Sequence, residues 1–262
     1  MTIDFETPMT FYELICIISS AIAIMIPIVK WAVEKWFKRL KIDFLISDVV
    51  TVYFNNSGSY INLGGVYRTK NKTVTIKNIS AQVIRKSDNA TLDLNWSVFS
   101  SPTVKEIGGQ YERSFETAHP FNANADMLTP AFVEFTSEKN ISENISADLL
   151  KLYNYEREIL QQGLNFFDAT GKAHVTSDYS DSKVKLHEYC FWKLGYYEIR
   201  LITKYNNDAE FIKEYSFELS DEDVIKLQNN IENLLIEPIA SSFNFRLPYL
   251  SVMKKVTELQ GE

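Results

Sequence analysis

His187 and Cys190 stand three residues apart, a spacing that could join a general base to a thiol nucleophile or offer two ligands to a metal. The remaining histidines, His119 and His174, and the remaining cysteine, Cys16, lie far away in sequence, and nothing completes a ligand set. A packed or surface pair is the preferred reading. Gly64-Gly65 and Gly108-Gly109 are isolated pairs, read as a bulge and a turn rather than a phosphate cradle, and no Gly-x-Ser-x-Gly elbow occurs. Carboxylates are plentiful without a marked acid and base pair. The expectation is a protein that is not an enzyme, with no metal and no cofactor.

Three other groupings suit contact rather than catalysis. Arg68, Lys70, Lys72, Lys77, Arg85 and Lys86 are expected on adjacent hairpins of one sheet and form the candidate ligand-binding set. Lys183, Lys185, Lys193 and Arg200 gather more loosely around Trp192 and His187. A local basic patch beside aromatic rings can receive a small anion or a single nucleic-acid strand; lysines on solvated sheet edges, which resist aggregation, explain the same residues and are the preferred reading. The third grouping is a stripe. Cys16, Ser20, Ala23, Pro27, Lys30 and Glu34 recur at helical spacing, Ser19 borders them, and Ser19 and Ala23 make a small-x-x-x-small pair. Leu14, Ile18, Met25 and Val29 fall on the opposite side. Small, weakly polar residues on one face of a membrane helix point to self-association or to the lining of a narrow pore, so Cys16, Ser19, Ser20, Ala23, Pro27 and Lys30 are the candidate contacts. Ser and Ala are also tolerated anywhere in lipid, which leaves a simple anchor as the alternative.

The element that positions this stripe is the uncharged run Leu14–Val29. As a helix it spans about 24 Å, and Phe11, Tyr12, Trp31 and Val33 extend it to a workable crossing with aromatic residues at both interfaces. The first thirteen residues contain Asp4, Glu6 and Glu13 and no Lys or Arg, unlike a cleaved signal peptide. Lys30, Lys35, Lys38, Arg39 and Lys41 follow the span, so the positive-inside rule places the N-terminus outside and the large domain in the cytoplasm. The sequons at Asn71, Asn89 and Asn140 carry little weight in an Asn-rich chain.

Beyond Ile42 the apolar period changes to two. Leu92, Leu94, Trp96 and Val98 alternate with polar residues, and Val74 and Ile76 slip phase before Ile79, Ala81 and Val83, which predicts a bulge near Lys77-Asn78. Turns at Asn55–Gly58, Arg68–Lys72 and Arg85–Ala90 suggest four consecutive strands in a meander or half-sandwich. Tyr197, Ile199, Leu201 and Thr203, then Phe211, Tyr215, Phe217 and Leu219, read as a second hairpin turning at Asn206–Asp208. A helix is expected near 140–166 and another from the Ser220 cap to Pro238, with long loops around Gly108-Gly109 and from Ala169 to Lys185. Leu194-Gly-Tyr-Tyr197 resembles the approach to the tyrosine corner of immunoglobulin-like sandwiches, where the hydroxyl ties a loop to the backbone. The expected organisation is a short exterior N-terminus (1–10), a transmembrane helix with a basic extension (11–40), a mainly-β, immunoglobulin-like antiparallel sandwich with a few added helices (41–250) and a C-terminal tail (251–262).

Composition agrees with this picture: 262 residues, 45% apolar and a formal charge of −7 suit one globular domain and argue against coating of duplex DNA, while two cysteines exclude a disulfide scaffold. An N-terminal membrane helix, a basic juxtamembrane segment and a β domain without catalytic residues together resemble membrane effectors of bacterial anti-phage defence, the Hailong-type effector being nearest. The resemblance is one of architecture. It implies a single-pass inner-membrane protein, a homo-oligomeric (tetrameric) ion channel, control by a single-stranded nucleotide oligomer, and a nucleotidyltransferase partner that makes it.

Overall fold

A computed structural model describes residues 10–33, 35, 39–107, 110–137 and 139–259, with backbone alone at 100–107, 110–114 and 139. The expectations for residues 1–9, for Glu34 and Lys38, and for Gly108-Gly109 fall outside the described residues. Helix α1 (Phe11–Ala32) takes up the apolar segment. Thr10 caps it by accepting from the Glu13 amide, and the Glu13 carboxylate accepts in turn from the Thr10 amide at 2.8 Å.

Lys41 begins β1 (Lys41–Asn55), which turns at the expected place into β2 (Gly58–Lys70). β3 (Val74–Arg85) and β4 (Ala90–Ile107) make the second hairpin, with Asn89 at a φ of 56° in its turn. β5 (Gln110–Thr117) pairs with the outer length of β4, β6 (Phe121–Ala123) with the start of β3, and β7 (Leu128–Thr136) runs between β2 and β4. β8 (Gly195–Tyr205) and β9 (Ala209–Leu219) form the third hairpin through Asn206 and Asp208, both at positive φ. The register slip expected near Lys77-Asn78 lies between Ile76 and Asn78 in the β3–β8 pairing. A second slip, between Ile46 and Val50, sets β1 out from β2 beside Gly64 and Gly65, where an added Cβ would collide with the rings of Phe132 and Phe44.

All the strands belong to one sheet, ordered β1-β2-β7-β4-β3-β8-β9, with every neighbouring pair antiparallel. Its edges meet through the C-terminus: β10 (Val252–Lys255) pairs with β1, β11 (Thr257–Glu258) pairs with β9, and only Val256 separates them. The Val256 amide donates to Asp48 and the Leu259 amide to Glu214, so one segment bridges both edges and the sheet closes nearly into a barrel. The mainly-β antiparallel expectation holds. The two facing sheets of an immunoglobulin-like sandwich are not what the pairing gives. Nor is there a four-strand meander, because β2 and β3 are consecutive in the chain but are separated in the sheet by β7 and β4. Residues 252–258 of the expected tail form a stave of the barrel rather than an appendage.

Inside lie the alternating apolar residues of every long strand: Val50, Val52 and Phe54 of β1, Ile61, Leu63 and Tyr67 of β2, Ile79, Ala81 and Val83 of β3, and Tyr197, Ile199 and Leu201 of β8. Tyr67 and Thr203 share a buried hydrogen bond of 2.6 Å from β2 to β8, strands that are not neighbours, so the contact crosses the interior.

Helices collect at the end of the sheet where β1 turns into β2. These are α2 (Lys139–Leu160), α3 (Phe166–His174), α4 (Ser177–Tyr189), α5 (Asp221–Leu235) and α6 (Glu237–Ser242). The Trp192 indole donates to the Tyr53 carbonyl at 2.6 Å, Asn230 to the Phe54 carbonyl at 2.9 Å, and the Phe191 amide to Ser59 at 3.0 Å. The α2 and α5 expectations hold, and Asp223 completes a capping box with Ser220. Residues 169–185 are not a long loop but most of α3 and α4, capped by Asn165 and Thr176. β4 and β5 pair as far as Ile107 and Gln110, which makes the region flanking Gly108-Gly109 a hairpin arm instead of a long loop.

Candidate functional site

Helix α1 has 22 residues, so it is roughly 33 Å long; none of its residues is buried, and by length and composition it can cross a bilayer. Cys16, Ser19, Ser20, Ala23, Pro27 and Lys30 are all exposed on it and touch no other part of the domain closely enough to be covered. Ile18, Ile22, Met25 and Val29 border a shallow apolar hollow that Lys30 of the stripe also lines. The Ser20 hydroxyl donates to the Cys16 carbonyl at 2.8 Å, satisfying itself within its own helix. Pro27 lies in the helix interior, where it supplies no amide to the ladder. Lys30 occupies the last turn, and the Lys35 ammonium sits 4.7 Å from the centre of the Trp31 ring.

The six basic residues of the first expected patch do not form one surface. β3 carries Lys77 near its start and Arg85 at its end, eight positions apart and about 26 Å along a strand. Arg68, Lys70, Lys72 and Lys77 therefore lie at the barrel end where β1 begins, and Arg85 and Lys86 at the helix-covered end. Carboxylates already engage four of them. Arg68 binds Asp43 at 2.9 Å, Lys77 binds Asp208 at 3.2 Å, Lys86 binds Glu198 at 2.7 Å, and Arg85 grips Asp88 through two nitrogens. Arg85 is 5% exposed, donates also to the Phe191 carbonyl and lies 4.9 Å over the Phe191 ring; its donors are spent on structure. The Arg85 guanidinium and the Ala90 amide hold the Asp88 carboxyl at about 2. Lys70 and Lys72 are exposed and have no ion pair among the described residues.

Part of the second basic grouping meets Arg85 in a cleft of about 420 Å³ lined by Arg85, Val184, His187, Glu188, Cys190, Phe191 and Lys193. Lys183, Lys185 and Arg200 are instead paired with Glu232, Asp148 and Glu214. His187 and Cys190 share the cleft, but burial pushes the Cys190 thiol up to about 11, which holds it protonated at neutral pH and unlike an activated nucleophile. Among the described residues no group of three or more His, Cys, Asp or Glu is arranged to hold a metal ion.

Sequence reasoning passed over Glu156. It lies on the inward stripe of α2 with Leu149, Leu152 and Ile159, is fully buried, and has no hydrogen-bond partner for either carboxylate oxygen. Burial pushes its carboxyl up to about 8. A carboxylate at an i, i+3, i+7 position of an otherwise apolar helix face was the signal that could have found it. No protein-family model, curated protein or solved structure matches the chain.

Proposed function

We propose that the chain is a homo-oligomeric membrane effector, in which α1 crosses the inner membrane of a bacterium, copies of α1 associate through the Cys16–Lys30 stripe to form a pore, and the nearly closed barrel in the cytoplasm controls it. The observation that carries this reading is a bilayer-length helix with no buried residue and with Cys16, Ser20, Ala23 and Pro27, all small side chains, along one face. The basic residues after the span and their absence before it support a cytoplasmic barrel. On the sequence resemblance to anti-phage effectors of the Hailong type, the trigger is an oligoanion such as a nucleotide oligomer supplied by a partner nucleotidyltransferase. Lys193, which has no ion pair among the described residues, lines the helix-end cleft and offers such a ligand a cation there.

The test is flux through liposomes, or toxicity in cells, for variants of α1. Ser20→Leu places a branched side chain where helices must approach closely, so conductance is lost; Ile18→Leu, facing lipid, behaves as the parent. Lys30→Glu moves the reversal potential in the cation direction, because a ring of lysines repels cations and a ring of glutamates attracts them. If Ser20→Leu and Ile18→Leu both conduct like the parent, the stripe is incidental. One observation favours a second reading, a passively anchored barrel that binds a protein partner: Ser20 bonds its own helix and so needs no polar partner in the membrane.

A further inference from the structure

The barrel end nearest α1 carries charge that its own fold leaves unbalanced. Lys41 and Lys70 are direct cross-strand partners in the β1–β2 register and both are exposed, a like-charge pairing that a sheet normally avoids. Lys72 stands in the adjoining turn, and Arg39 is tied to that turn by the Asn71 side chain, which donates to its carbonyl at 2.8 Å. The neighbouring Asn124–Met127 turn packs alongside: the Asp126 amide donates to Thr69 at 2.8 Å and the Ala125 amide to the Thr73 hydroxyl at 3.1 Å. At its tip Met127 is 60% exposed and Leu128 58% exposed. Arg68 and Lys77, also at this end, are balanced by Asp43 and Asp208, and Lys204 by Glu210. That leaves Arg39, Lys41, Lys70 and Lys72 without an ion pair among the described residues, beside the Asp126 turn and two bare apolar side chains, on a chain whose overall charge is −7.

We infer that this rim docks on anionic phospholipid headgroups, with the lysines against the lipid phosphates and Met127 and Leu128 dipping into the interface. The inference rests on the reading of α1 as a membrane span. Chain length supports it: six residues separate Ala32, the last of α1, from Arg39 on the rim, and the seven steps reach at most about 25 Å. The rim therefore hangs close to the bilayer surface, where the potential of anionic lipids acts within about 10 Å at 0.1 M salt. Such a surface supplies the negative charge that the Lys41–Lys70 pairing lacks. Docking would also fix the barrel's tilt relative to α1.

The experiment uses the full chain with Cys16→Ser, reconstituted into phosphatidylcholine vesicles with or without phosphatidylglycerol; Cys190 is buried and escapes labelling. A polarity-sensitive fluorophore is attached at Met127→Cys, or in a parallel sample at Ile18→Cys, and quenched from the lipid phase. The expected result is an Ile18 probe quenched in both vesicles and a Met127 probe that is blue-shifted and quenched only with phosphatidylglycerol. That quenching is lost in high salt and in Lys41→Glu/Lys70→Glu/Lys72→Glu. An aqueous Met127 probe beside a lipid-buried Ile18 probe overturns the docking while sparing the span. Equal quenching with and without phosphatidylglycerol overturns the anionic requirement, and the parent alone decides this should the triple variant not fold. An aqueous Ile18 probe overturns the span and the docking together.

Discussion

Glu156 shows how much a single residue can set. Its folded-state carboxyl titrates near 8, well above the ordinary value of 4.5, because no donor compensates for its removal from water. The folded protein therefore holds this proton more tightly than the unfolded chain, and stability falls as pH rises from about 4.5 through 8 before levelling off. The penalty grows by about 1.4 kcal/mol for each pH unit in that window, reaching on the order of 3 kcal/mol at neutral pH. Glu156→Gln is expected to flatten this slope and to melt above the parent in mildly alkaline buffer, which thermal unfolding followed by circular dichroism at several pH values will show; a parent-like slope would remove the assignment. Tyr197 is a second such residue. Its hydroxyl donates to the Lys193 carbonyl and accepts from the Lys193 amide, both at 2.7 Å. Tyr197→Phe leaves both groups unpaired and should cost about 1–3 kcal/mol in chemical denaturation. The Gly195–Tyr197 motif announced this tie in the sequence, although the described strands pair in one sheet and not in the sandwich with which such ties are associated.

Among the elements, the C-terminal segment matters most to closure. Val252, Lys254 and Val256 share its inward side, the two valines being buried and Lys254 bonded to Asp223 at 2.7 Å. Burial pulls the Asp223 carboxyl upward, yet the Lys254 ammonium together with the Ser220 amide and hydroxyl holds it at about 2. The sign is opposite to that of Glu156: this contribution is complete above the ordinary value of 3.8 and disappears as pH falls through 2. Asp223→Asn is expected to weaken the anchor by about 2 kcal/mol and to speed amide exchange in β10 and β11 ahead of the other strands; uniform exchange would contradict it. Period-two alternation was present in this segment, but a lysine between two valines disguised it as a tail. Polar turns announced the hairpins at Asn55–Gly58, Arg85–Ala90 and Asn206–Asp208, and the phase slip announced the β3 bulge. The turn after Lys70 looks the same in sequence and instead begins a crossing, since a turn's residues describe its tightness and not which strand lies beside it. α3 and α4 escaped notice because their apolar faces are short, although Asn165-x-x-Asp168 and Thr176-x-x-Tyr179 are cap spacings.

At the scale of the molecule, the long-range pairings separate what sequence proximity joins. The insertion of β7 and β4 between β2 and β3 parts consecutive strands, and the length of β3 divides the expected basic patch between opposite barrel ends. One end faces the connection to α1 and the other carries the helices and the Phe191–Lys193 cleft. On the proposed reading, the signal is received at the helix-covered end and delivered through the barrel to the rim beside α1. That role requires several copies, because one α1 helix cannot enclose a pore. The most direct measurement is the mass of the detergent-solubilised full chain, with bound detergent subtracted. A homo-oligomeric effector has a mass of several times 30.3 kDa, fourfold if the resemblance to tetrameric effectors extends to assembly; a particle of 30.3 kDa at every detergent and protein concentration would contradict it.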